Sequence, residues 1–554
     1  KKPAEKPADP KKAAAKATAK PAAKPDAKKK DAGVKPSPID FDGLDRRVIR
    51  LPVDTENIRN LTSAGDNLLY IKRGANFYGR DSYAKSDICI FSMKTRSAST
   101  FAADAKGYSL SRDGRKAIVK QGKSYYVCDV QPQPKSKTAV STAGLVVDRV
   151  PAEEWAEIFD EVWRRFRDFF YVKNMHGYDW KAIGERYRKL VPHVAHRSDL
   201  NYLIGEMIAE LNIGHAYIQG GDYNRPKRPV VGLPGATFEL DAQAKRFRIA
   251  KIYPGQNEET RYRAPLAEVG IDASVGEYVL AIDGRELKPD DNPYRLLQHK
   301  TGTVTLALNK KPTLDGARKV TYEPIRDERA LRYLEWTRGN REKVAKATAG
   351  RVGYLHLPNM GADGIREFVK WFYPQIRKQG LIVDVRGNGG GNISPWIIER
   401  LGRKLLGTRF GSDSDEAGTY PKTVFHGHMV CIINENSASD GDIFPYRFRQ
   451  AGIGPLIGKR SWGGVVGISG RGPLIDGGTV YVPLQATNSP SGQWIIEGHG
   501  VDPDIEVDND PNSVIQGRDP QLERAIAEII KRIKADPKKL PKRPPDPIKT
   551  KLTM

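Results

Sequence analysis

The chain has 554 residues, 39 % hydrophobic and 29 % charged, an ordinary globular composition spread over too much length for one domain. Its net charge is +24, but residues 1–38 hold 12 Lys against four acids and residues 531–554 nine bases against two, so +15 of that charge sits at the ends. The mild bias left in the middle argues against a nucleic-acid partner, and the lack of an apolar run of roughly 18 residues argues against a membrane-spanning chain.

Residues 1–38 are nearly all Lys, Ala, Pro and Asp, a mixture too poor in apolar surface to offset its conformational entropy, and a disordered linker is expected there. The chain starts at Lys1 without Met or an apolar leader, so it reads as a fragment or processed form whose targeting information is missing. From 39 to 150 short β runs alternate with turns such as Ser111-Arg112-Asp113-Gly114, a strand–turn–strand rhythm that fits the end of a β-propeller. At Pro151 the period changes: Trp155, Ile158, Phe159, Val162, Phe166 and Phe170 recur at helical spacing. Two more helical patterns, 180–190 and 199–211 with Ser198 as expected N-cap, complete a helical domain over 151–227. Alternating runs and an Asp283-Gly284 turn predict a small β-rich module over 228–312. Residues 313–530 alternate strands (352–357, 381–385, 429–433) with helices (365–376, 394–405, 521–530), an α/β core, and 531–554 form a basic tail.

Cys89, Cys128 and Cys431 are odd in number and far apart, giving neither a disulfide framework nor metal spacing. His426 and His428 share a strand face near Cys431 but lack a fourth ligand, so no metal is expected. Two other segments can carry chemistry. In the first, a strand runs into Arg386-Gly387-Asn388-Gly389-Gly390-Gly391-Asn392, where glycines let backbone N–H groups face an anion or oxyanion; the Lys-Ser/Thr pair of a phosphate loop is absent, and a plain tight turn competes. In the second, a strand runs into Ser437-Ala438-Ser439-Asp440-Gly441-Asp442. A serine at that junction is either a nucleophile beside the first-turn amides or an N-cap. The chain has nine histidines, and position does not choose a base among them, although His215, after Gly214 at a helix-to-strand break, suits an oriented, half-exposed imidazole, and His356 beside its strand reads as packed.

These segments, with Gly458-Lys459-Arg460-Ser461-Trp462-Gly463-Gly464-Val465 and Glu497-Gly498-His499-Gly500-Val501-Asp502-Pro503-Asp504, resemble the tricorn protease family of the C-terminal-processing serine peptidase clan over about 40–530. The resemblance implies a multidomain α/β chain: a partial β-propeller, a helical core domain, a PDZ-like β module at 228–312 that braces the core, and a crotonase-like ββα catalytic domain. It implies Ser439 as nucleophile, His215 as general base, Glu497 as relay, and an oxyanion hole from the Asp440 amide with Gly389 or Gly390, acting without a cofactor. It also implies peptide or unfolded-protein substrates, a homohexamer and a cytoplasmic location, with export left open by the missing N-terminus. Asp413 and Asp415 are candidates for recognising a basic side chain. One position departs from the family pattern: Gly214 stands where a relay serine precedes the base, so the Glu497–His215 link is expected to need a water or another hydroxyl. The rival readings are a catalytically impaired peptide-binding scaffold and a crotonase-like enzyme acting on thioesters.

Overall fold

Buried and exposed residues alternate along the strand Lys116–Gln121, where Ala117 and Val119 turn inward while Lys116, Ile118 and Lys120 face out. The computed structural model describes residues 40–74, 85–134 and 137–550; the expected linker at 1–38 lies outside them. Two compact units result. The first, 40–72 with 86–134 and 137–139, carries two four-stranded sheets, each with its strands in chain order. One contains Asn57–Ala64, Asn67–Arg73, Asp87–Ser92 and Ser97–Ala102; the other contains Ala105–Leu110, Lys116–Gln121, Ser124–Asp129 and Lys137–Val140. Leu69, Ile88, Ile90, Phe101, Ala117 and Val119 form their common core.

The second unit begins its regular structure with the helix Pro151–Phe169, which starts on a proline and buries Ile158, Phe159, Val162 and Phe166 along one stripe. Trp180–Arg188 and Arg197–Ala209 pack with it. The last of these helices is capped by His196 rather than Ser198: the His196 ring accepts the Ser198 N–H while Asp199 reaches back to the His196 N–H, a capping box closed two residues earlier than the sequence suggests. Leu474, Val480 and Val482, from the far end of the chain, complete this helical core. They arrive because Thr479–Gln485 pairs on one edge with Gly467–Ser469 and on the other with Tyr217–Gln219.

The β-rich module is a sheet ordered Ala236–Asp241, Arg246–Ile252, Tyr278–Ile282, Val304–Asn309 and Arg318–Tyr322, the last strand lying past residue 312. The α/β core follows. Its strands Val352–His356, Gly380–Asp384, His428–Ile433, Leu456–Gly458 and Ile505–Glu506 stand in that order, all parallel. Such strands are covered on both faces, hence near-continuous burial along Gly380–Asp384 and His428–Ile433. Phe368, Phe372, Ile397, Phe444 and Phe448 cover one face; Val344, Leu522, Ala525 and Ile529 cover the other. No described helix is long and apolar enough to cross a membrane.

Candidate active site

Two neighbouring parallel strands end in the two chemically promising segments, so the glycine loop after Asp384 and the serine turn after Ile433 emerge side by side at the carboxyl edge of the sheet. Hydrogen bonds from backbone and side chains staple them together. Ala438 N–H donates to Asn388 O at 2.8 Å, Ser437 Oγ donates to Val385 O at 2.9 Å, and Gly387 N–H donates to Asn434 Oδ1 at 3.0 Å. Gly390 has φ +90, and a Cβ there would stand 2.5 Å from Ser439 Cβ and 2.9 Å from Ala438 O, so only glycine permits this approach.

Ser439 sits at the N-cap position of the helix Asp440–Gln450 with φ 58 and ψ −122, yet its side chain caps nothing. A serine held in a backbone conformation costly for an L-residue, without the capping bond that normally explains a serine there, is one whose Oγ is kept free. Beside it, the Asp440 and Gly389 N–H groups have no acceptor among the described residues, whereas the Gly390 N–H is taken by Asn388 Oδ1 at 3.0 Å. The Asp440 carboxylate clamps the opposite wall: it accepts the Ser394 N–H at 3.0 Å and the Ser394 hydroxyl, at the start of the helix Ser394–Leu401. Burial raises its pKa. Ser439, Asp440, Gly391, Ile398, Ile443 and Val465 share a cleft of about 730 Å³.

Residues 461–466 link this turn to the histidine. Trp462 N–H donates to Ser437 O at 2.9 Å, and Gly463 N–H donates to Asp442 Oδ1 at 2.8 Å. Val465 lines the Ser439 cleft, and the next carbonyl, Val466 O, lies 2.8 Å from His215 Nδ1. A carbonyl only accepts, so Nδ1 carries the proton and the neutral ring presents Nε2 as a bare acceptor. Trp462 and Tyr217 hold the imidazole edge-on, with centroids 5.9 and 5.5 Å away. Ser439 Oγ and His215 Nε2 are not hydrogen-bonded to each other, and His215 is not among the residues that line the Ser439 cleft. Glu497 Oε2 accepts the Val465 and Val466 N–H groups at 2.7 and 3.0 Å, while its Oε1 is buried without a partner. Glu497 and His215 thus both bond Val466, Glu497 at its N–H and His215 at its carbonyl. Gly214 has room for a side chain: a Cβ there would meet Trp462 first, at 3.6 Å, so no crowding demands glycine.

The structure does not bring every candidate to the cleft. Asp413 and Asp415 stand on an exposed loop, where Asp415 pairs with Arg543 at 3.6 Å, and neither lines the space beside Ser439. Glu399 and Arg447 line it instead. Glu399 lies one turn into the helix after the glycine cluster, a position the motif itself could have flagged. Asp442 is fully buried, with Oδ2 unpartnered; burial first, and the charge of Glu497 beside it, push its pKa up to about 6. Because the folded protein holds this proton more tightly than the unfolded chain, stability should rise as pH falls from above 6 towards 3.8. Asp442→Asn keeps an acceptor for Gly463 and removes the buried charge. The expected result is a higher Tm than wild type at pH 8, by the equivalent of up to about 3 kcal/mol, with the gain vanishing near pH 4; thermal melts across that range check it.

Comparison with known proteins bears on the family. Residues 151–209 match the tricorn protease C1 domain, 232–327 the tricorn protease PDZ domain and 351–507 peptidase family S41. The chain is 33 % identical over 505 residues to the putative tricorn-like protease C-terminal subunit of Sulfurisphaera tokodaii, covering 89 % of this chain and 58 % of that protein. It is also 33 % identical over 513 residues to the tricorn protease of Thermoplasma acidophilum, covering 92 % and 46 %. A crystal structure of the tricorn protease superposes with TM-score 0.79 at 31 % identity, over 87 % of this chain and 47 % of that one. The chain belongs to the tricorn protease family. It spans about half the length of the relatives it matches. The pairing of Tyr217–Gln219 with Thr479–Gln485 ties the segment just after His215 to the last third of the chain.

Proposed function

We propose that the chain is a serine peptidase of the tricorn type that hydrolyses peptide bonds in unfolded polypeptides or oligopeptides. The observation that carries this reading is Ser439: strained, uncapped, and flanked by open main-chain donors. Ser439 Oγ attacks the scissile carbonyl while His215 Nε2 takes its proton. The oxyanion that forms is met by the Asp440 and Gly389 N–H groups, each worth about 10²–10³ in turnover in comparable sites. The imidazolium then protonates the departing amine, leaving an acyl-serine, and the same imidazole activates water to release the acid and regenerate the hydroxyl. Val466 O fixes the tautomer, and Glu497 holds the Val466 peptide while placing negative charge on the side where the imidazolium develops.

The same reading extends to the architecture. The two four-stranded sheets of the first unit are proposed as closing blades of a β-propeller, the parallel-sheet unit as the crotonase-like ββα domain, and the PDZ domain as a brace between core parts. Family resemblance also underlies the proposed homohexamer and cytoplasmic location.

Incubation with a fluorophosphonate probe tests the site: wild type is expected to be labelled and S439A not. Peptide binding without labelling or turnover in wild type would favour an impaired scaffold instead. Glu497→Gln probes the relay. Its amide oxygen can still accept both backbone N–H groups, so Tm should hold while kcat falls about 10- to 100-fold through loss of charge. An unchanged kcat removes Glu497 from the mechanism.

A further inference from the structure

The helix Ser394–Leu401 opens without a cap of its own: its N-cap residue is Ile393, and Pro395 follows Ser394 with no N–H to satisfy. The cap comes from another helix, 46 residues downstream. Asp440 Oδ2 accepts the Ser394 N–H at 3.0 Å and Asp440 Oδ1 accepts the Ser394 hydroxyl, so a single residue engages both oxygens of this carboxylate. Ser394 is 2 % exposed and Asp440 5 %, and both line the Ser439 cleft. A carboxylate so buried is costly unless its oxygens are engaged. Burial raises the Asp440 pKa, and the two bonds from Ser394 pull it back.

This contact joins two segments that each carry one open main-chain donor. Gly389 N–H lies in the glycine loop that leads into Ser394, and Asp440 N–H belongs to the residue whose side chain Ser394 grips. Ahead of both donors the same segments are already tied, Ala438 N–H donating to Asn388 O at 2.8 Å. The donors are therefore bracketed, with one tie before them in each segment and the Ser394–Asp440 tie after. Without the second tie, the spacing of Gly389 and Asp440 is held from one end only.

We propose that Ser394 is a positioning residue for the hydrolysis: through the Asp440 side chain it fixes the spacing of the two N–H groups that meet the oxyanion. The Ser394 hydroxyl does no chemistry itself, because its proton is committed to Asp440 Oδ1. This role rests on Ser439 as the nucleophile. A helix cap alone would add stability and leave turnover untouched.

The rate of fluorophosphonate labelling reads the effect without any peptide, since the phosphonyl oxygen needs the same donors. Ser394→Ala is expected to be labelled about tenfold more slowly than wild type, and to cleave an unfolded polypeptide with kcat about tenfold lower and KM within about twofold. Ser394→Thr, which keeps a hydroxyl, should recover most of the rate. Asp440→Ala removes the carboxylate but keeps the backbone N–H, and adding S394A to it should cost nothing further. If S394A does not fold, D440A, which leaves no buried charge behind, supplies the labelling rate: slow labelling supports the role and wild-type labelling overturns it. An unlabelled wild type sinks the nucleophile reading and this role with it. With wild type labelled, the positioning role alone is overturned by S394A labelling at the wild-type rate, including with a lowered Tm. A folded S394T no faster than S394A, or a double variant slower than D440A, overturns it equally.

Discussion

Ser439→Ala is expected to lower kcat on an unfolded polypeptide substrate by a factor on the order of 10⁶, down to background, with Tm unchanged. The pairing of those two outcomes decides between the chemical and the structural reading of this serine. A serine at an N-cap that donates its oxygen to the first turn contributes about 1 kcal/mol, and its removal shows in a melt. Here the hydroxyl caps nothing, so its loss deprives the helix Asp440–Gln450 of no hydrogen bond, and alanine tolerates φ 58 no worse than serine does. Steady-state kinetics beside differential scanning calorimetry make the check. A drop in Tm with activity retained would leave Ser439 as a structural residue and return the nucleophile to the unassigned.

Arg386→Leu should be the most destabilising single change in the peptidase domain, by about 3–5 kcal/mol, because it strips the counter-charge from buried carboxylates. The Arg386 side chain is 7 % exposed and pairs with Asp384, 0 % exposed, at 2.6 Å and with Asp519 at 2.8 Å. Tyr354 donates its hydroxyl to Asp384 at 2.8 Å, which steadies but does not neutralise it. Burial alone would push Asp519 upward; the Arg386 guanidinium overrides it and holds that carboxyl below its ordinary range. A depressed carboxylate contributes stability above its unfolded pKa and loses it as pH falls through the folded one, so wild type should soften in acid and the leucine variant much less. Chemical denaturation at pH 7 and pH 3 measures both limbs. Since Gly387 to Gly391 follow Arg386 directly, a folded remnant of the variant should also be slow, its amide donors no longer anchored to the helix Pro520–Ala535.

Much of this architecture is readable in one dimension. Changes of period at Pro151 and again near 228 coincide with the helical part and the β-rich module, and the strand-then-glycine and strand-then-serine segments open at one edge of one sheet. What local pattern does not supply is partnership across the chain. Thr479–Gln485 alternates like any strand, and nothing in it names Tyr217–Gln219 as its neighbour. His215 is legible as oriented, but its acceptor, Val466 O, is a backbone atom with no residue-type signature. Ser198 reads as a cap because caps favour hydroxyls, yet a ring nitrogen two positions earlier takes the role. Asp413 and Asp415 stand out by charge and position, and charge carries no information about which wall a loop faces.

The acceptor that sets the imidazole's tautomer lies 251 residues downstream of it. During synthesis, a ribosome therefore releases the histidine long before the loop that tunes it and the strand that seats it exist. A nascent or truncated chain ending ahead of residue 466 lacks both the carbonyl that holds His215 Nδ1 and the strand that pairs with Tyr217–Gln219.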